Sequence, residues 1–148
     1  MPIQFRHLLM IIAVGLIGPG AIAADDPAHE RHELMEGVRD AAKPVGAMLR
    51  GEADFNQDTV MESLRTFESA GAKFGSLFPE GSQGGEAAPT IWDDREGFDE
   101  ALSKWQGATA AAIEANPGSL EELKEAAGPV FQSCKGCHDS YRIEEEDE

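Results

Sequence analysis

The segment Cys134-Lys135-Gly136-Cys137-His138 holds both cysteines of the 148-residue chain, three residues apart, with a histidine directly behind them. On a helix, residues three and four apart share a face, so two thiols and an imidazole would address one object. This is the C-x-x-C-H signature of covalent haem attachment: the thiols of Cys134 and Cys137 add to the two vinyl groups, and His138 ligates the iron from the same side. Other uses of these residues fit less well. A redox-active pair belongs at a helix N-terminus, where the dipole lowers a thiol pKa, whereas this pair falls near a helix C-terminus. A disulfide inside a regular helix is sterically awkward and closes a trivial loop. Zinc would need four ligands, and His29 and His32 lie at the far end of the chain.

The elements that must position this motif read as helices. Apolar residues recur at Leu34, Met35, Val38, Ala42, Val45, Met48 and Leu49, one face of a helix over 31–49. Pro44 is expected to kink or weaken its last turns, and Gly51 to end it. A second stripe, Val60, Leu64, Phe67, Gly71, Phe74 and Phe78, predicts a helix over 59–78, capped by Asn56 or Asp58 and stopped by Pro79. The following GSQGGEAAPT has the composition of a loop. A third helix runs over 94–115, with Phe98, Leu102, Trp105, Ala108, Ala112 and Ile113 inward, and Asn116-Pro117-Gly118 breaks it.

Ser119-Leu120-Glu121-Glu122 is a capping box in which Glu122 reaches back to the cap, and it opens a fourth helix. Its apolar positions, Leu120, Leu123, Ala127, Val130, Cys134, Cys137 and Tyr141, place both cysteines on the inward stripe, with a bend expected at Pro129. Four amphipathic segments without strand signals between them predict an all-α antiparallel four-helix bundle carrying a covalently bound haem.

Composition sets the surroundings. Arg6 and His7, an apolar run from Leu8 to Ile17, and Ala21-Ile22-Ala23 read as a signal peptide cleaved after residue 23, the run being shorter than the roughly 20 residues a membrane span needs. The expected product is an exported chain without a membrane span, comprising a domain at 24–143 and an acidic disordered tail at 144–148. Without Arg6 it carries 11 Lys and Arg against 28 Asp and Glu, a formal charge of −17. Nucleic acid and anionic membrane surfaces are therefore not expected as partners. The acidic residues are spread along the chain, as on a solvated surface.

The position of the motif carries further information. Small cytochromes with the motif near the N-terminus take a downstream methionine as second axial ligand, but no methionine follows His138, and Met35, Met48 and Met61 all precede it. Cys134-x-x-Cys137-His138-x-x-Tyr141-Arg142 at the end of a chain of this length, with RGEADF after the first helix and LFPEGS and IWDD between the second and third, resembles the cytochrome c′ family of class II c-type cytochromes. The resemblance covers the whole chain after residue 23. It implies one haem c per chain, bound through Cys134 and Cys137 with His138 as proximal ligand, and a five-coordinate high-spin iron. It also places Arg31 near a haem propionate, Met35 at the distal position and Arg142 beside the proximal histidine.

By the same resemblance the protein is a periplasmic homodimer packed through its first two helices. It would bind nitric oxide and carbon monoxide, bind dioxygen poorly and take part in electron transfer with an unknown redox partner. A distal wall of Met35, Val38 and other apolar residues offers no hydrogen bond to a polar ligand such as dioxygen, while carbon monoxide and nitric oxide need none. The alternative is a six-coordinate, low-spin electron carrier in which Met35 binds the iron. Catalysis is not expected, because no acid-base group is foreseen on the distal side except His32, three residues before Met35.

Overall fold

The structure, a computed structural model, describes residues 26–143. The expected leader at 1–23 and the acidic tail at 144–148 lie outside the described residues.

Helix α1 (Pro27–Leu49) starts four residues before the apolar stripe suggests, because Asp26-Pro27 is itself a start signal. The Asp26 carboxylate accepts from the Ala28 N–H at 3.0 Å, and Pro27 fills a position where no N–H is needed. The helix runs on through Pro44 to Leu49. It ends where Gly51, at φ 73°, turns the chain so that the Gly51 and Glu52 amides donate to Met48 and Ala47 at 3.0 and 2.9 Å.

Helix α2 (Gln57–Phe74) is capped by Asn56, whose side chain accepts from the Thr59 amide at 2.9 Å. It stops short of the expected Phe78: Gly75–Leu77 tighten into a 3-10 turn, and Phe78 leaves the helical region. Pro79 is the reason, since its ring disfavours a helical conformation at the preceding residue. Phe78 stays buried all the same. The connection that follows contains a single helical turn, α3 (Thr90–Asp93).

Helix α4 (Arg95–Ala115) starts under Asp94, which accepts from the Gly97 amide at 3.1 Å, and ends at Asn116 in the left-handed region. Helix α5 (Leu120–Tyr141) runs on through Pro129. Its capping box forms with one change from expectation: Ser119 Oγ accepts from the Glu122 amide, while the Glu122 carboxylate accepts from the Gly118 amide at 2.7 Å, one residue ahead of the cap.

The four long helices form an antiparallel bundle, with α1 packed on α2, α2 on α4 and α4 on α5. The fourth side, where α1 faces α5, is sparsely packed. The main core holds Val45, Met48, Val60, Leu64, Phe67, Trp105, Leu123, Ala127 and Val130. A second cluster at one end packs Ile91 with Phe74, Phe78, Trp92, Phe98 and Tyr141, whose rings meet edge-on at 4.7 to 5.8 Å. In α1 the stripe closes only over its second half: Val45 and Met48 are buried, whereas Leu34, Met35 and Val38 are half-buried. Leu34 lines a groove between α1 and α2, and Met35, about 100° further round the helix, turns towards the sparse side.

Candidate haem site

Cys134 packs against the main core, while Cys137 lines a groove of about 550 Å³ between α4 and α5, beside Gly97, Ala101 and Lys104. Successive residues of a helix point about 100° apart. With Cys137 turned towards α4, His138 therefore turns to the opposite side of Cys134, towards α1 and the sparse seam.

Burial, with a smaller push from Cys137, raises the Cys134 thiol pKa to about 11. Burial also raises that of Cys137. Both remain protonated thiols at neutral pH, unlike the activated pair of a redox enzyme. Solvent reaches His138, yet enough protein surrounds its ring that burial, followed by the Arg142 charge, lowers its pKa, with Glu86 and Asp139 opposing. Neutral imidazole is the form that ligates a metal.

On the facing helix, Arg31 and Met35 lie one turn apart. Met35 is half-buried against the core. Arg31 is only 5% exposed. Its terminal nitrogens donate to Leu77 O at 2.7 Å, Ser82 O at 2.9 Å, Gly84 O at 3.0 Å and Ser82 Oγ at 3.4 Å. The guanidinium also lies over the rings of Phe78 and Trp92, 4.8 and 5.8 Å from their centroids. Burial lowers its pKa, with Asp26 opposing, but a guanidinium keeps its charge in proteins. Four of its five donor directions are thus committed to the chain, and only Nε–H has no partner among the described residues.

Arg142 is exposed just past the end of α5, its amide donating to His138 O at 3.2 Å. His32 is exposed between two carboxylates, 3.9 Å from Glu36 and 3.7 Å from Glu86. Met35 on α1 and His138 on α5 therefore fall on the two walls of one seam, one turn inside the end marked by Arg31 and Arg142, while Cys137 opens into the α4–α5 groove.

Two features went unread in the sequence. The inner face of α4 carries Trp105 Nε1 and Thr109 Oγ1, buried with no partner among the described residues. The benzene edge of Trp105 lies on Gly71 of α2, which turns its N–H edge away from α2. A buried orphan donor costs about 1–3 kcal/mol, so this interior suits a polar group the side chains do not supply. Together with the sparse seam and the thiol-imidazole set, that is the fit a haem requires. A larger groove of about 850 Å³ lies between α1 and α2, lined by Glu33, Leu34, Gly37, Met61 and Arg65, and holds no cysteine or histidine.

Comparison with known proteins agrees with this chemistry. The family model described as Cytochrome C' matches residues 26–142. The chain belongs to the cytochrome c′ family. It is 36% identical over 143 residues to cytochrome c′ of Rhodopseudomonas palustris, covering 92% of this chain and 95% of that one. The solved structure of a cytochrome c′ from the same species superposes with a TM-score of 0.78 at 35% identity, over 83% of this chain and 100% of the other. Two variants of cytochrome c′ from Alcaligenes xylosoxidans, one with bound nitric oxide and one with bound carbon monoxide, each give a TM-score of 0.74, at 25% and 26% identity. They cover 81% and 80% of this chain and 95% of theirs. Haem c is the cofactor of cytochromes c′, and the two cysteines of this chain are present for its attachment. Among the described residues, no helix is long and apolar enough to cross a membrane.

Proposed function

We propose that this cytochrome c′ holds one haem c through thioethers to Cys134 and Cys137, with His138 as the proximal ligand, and that it binds nitric oxide and carbon monoxide at the opposite face of the iron. The observation that carries this reading is the α1–α5 seam. His138 turns towards α1, and the residues α1 offers there, Met35 and Val38, are apolar and only half-covered by protein. The haem supplies an iron able to take a small ligand, and the chain's part is to hold and shield it. The thiols fix one edge, neutral His138 fixes one face, and the apolar stretch of α1 limits the other face to small ligands that need no hydrogen bond.

Arg142, whose charge acts on His138, stands beside the proximal side. Arg31, through its uncommitted Nε–H, remains available to a propionate. The gas-bound relatives support the ligand class. Export to the periplasm follows from the leader-like residues 1–23, pairing of two copies through α1 and α2 from the family resemblance, and electron transfer is a second capacity of the same haem. His32 is exposed, 3.9 Å from Glu36 and 3.7 Å from Glu86, and no enzymatic role is proposed.

The optical spectrum tests the proposal. A broad high-spin ferrous Soret band that sharpens with carbon monoxide is the expected result. Narrow low-spin bands indifferent to the gas would overturn it, and would assign Met35 as sixth ligand in an electron carrier.

A further inference from the structure

The connection between α2 and α4 ties together the two helices that barely touch. On the α1 side, Leu77, Ser82 and Gly84 offer their carbonyls to the buried Arg31, and Ala28 packs beside Gly85. On the α5 side, the Ile143 amide donates to Glu86 O at 2.8 Å, the Ala88 amide donates to Tyr141 O at 3.1 Å, and the Thr90 hydroxyl donates to Ser140 O at 2.9 Å. Ala87 and Arg142 form an antiparallel bridge. Residues 77–90 thus cross the seam at its end. Met35 stands one turn inside Arg31 on one wall, and His138 one turn inside Arg142 on the other.

Arg31 is an unusual anchor for such a segment. It is buried and charged, yet the groups its terminal nitrogens meet are neutral: three carbonyls, one hydroxyl and two aromatic faces. Burying a charge is costly unless several strong bonds offset it, and a guanidinium fork is the side chain that can hold three carbonyls at once. The burial is therefore spent on fixing the crossing segment.

We propose that residues 77–90 form a strap closing this end of the haem slot, and that Arg31 is the positioning residue that latches it and so keeps water from the haem edge. The proposal rests on the haem seat described above. Excluding water disfavours the more charged ferric state, so a loosened strap lowers the midpoint potential.

Two variants of the haem-loaded chain separate the strap from the charge. Arg31→Lys keeps the charge and loses the fork. Gly84→Ala leaves Arg31 intact but places a side chain at φ 138°, a conformation L-residues rarely adopt, so the strap must shift. Hydrogen–deuterium exchange followed by mass spectrometry reads the strap, and a redox titration reads the haem. Both variants should raise exchange by about tenfold in 78–90 and 139–143, leave the interiors of α2 and α4 protected, and lower the potential.

Unchanged exchange would overturn the latch. Faster exchange at constant potential would overturn the cover over the haem. A lower potential in Arg31→Lys alone would assign the effect to a direct contact of Arg31 rather than to the strap. Should the chain carry no covalent haem by mass, the haem seat fails, while the exchange measurement still decides whether Arg31 latches the strap.

Discussion

Met35→Ala is the variant that separates a residue guarding the iron from one that merely fills the bundle. The change removes three heavy atoms from a half-buried side chain packed on the core. Full burial would set the cost at about 2–5 kcal/mol, so half-burial sets it at about 1–2.5 kcal/mol. At about 3–6 °C per kcal/mol for a domain of this size, thermal unfolding should fall by several degrees to about 15 °C. The kinetic effect has a different origin. A ligand entering between α1 and the haem must push the thioether from its rotamer, at a cost of about 0.5–1.5 kcal/mol. Relieving it should speed carbon monoxide association by about two- to tenfold. Flash photolysis gives the rate constant and thermal unfolding the stability. Met35→Leu, which keeps the volume, should leave both nearly unchanged. A stability loss in Met35→Ala with no change in association rate would refute the reasoning and leave Met35 as core packing alone.

Cys134→Ala or Cys137→Ala should yield protein with haem held by one thioether or with none, read by intact mass, and a variant still retaining two covalent links would remove that cysteine from the site. Tyr141 is the single tyrosine, and burial followed by Asp94, which accepts from its hydroxyl at 3.3 Å, raises its pKa. Tyrosinate absorbance should therefore rise with a midpoint above the usual value of about 10, and Asp94→Asn should bring it down. Because the folded pKa is the higher one, the stability it contributes is fully present below about pH 10 and is lost as pH rises through the folded pKa. Leu123→Ala, at a side chain 1% exposed in the main core, should cost about 2–5 kcal/mol by denaturant titration, and a cost under about 1 kcal/mol would mean that the core collapses to fill the gap.

Which parts of the architecture could be read in advance follows from how each is encoded. Val60, Leu64 and Phe67 announce α2 because each faces the core through its own side chain, and Asn56, Asp94 and Ser119 announce helix starts because their side chains meet amides within three residues. The C-x-x-C-H segment is equally local. The strap is not: what holds it are backbone carbonyls received by one arginine about 50 positions away, and acceptors of that kind leave no trace in residue type. One signal did exist. Arg31 stands in register with Leu34, Met35 and Val38, a charge within an apolar stripe, which points to a partner waiting inside.

The same stripe shows why the site itself was only half legible. Its first half has the periodicity of a buried face, yet the folded protein leaves Leu34, Met35 and Val38 only half-buried. Trp105 and Thr109 lie inside the bundle with polar atoms that have no partner among the described residues. An apolar face without full cover and interior donors without acceptors are both costs to the polypeptide alone, and a flat, mostly apolar group with a polar edge held inside the bundle would lower both. The sequence pattern specifies a bundle that is completed by what its last helix binds.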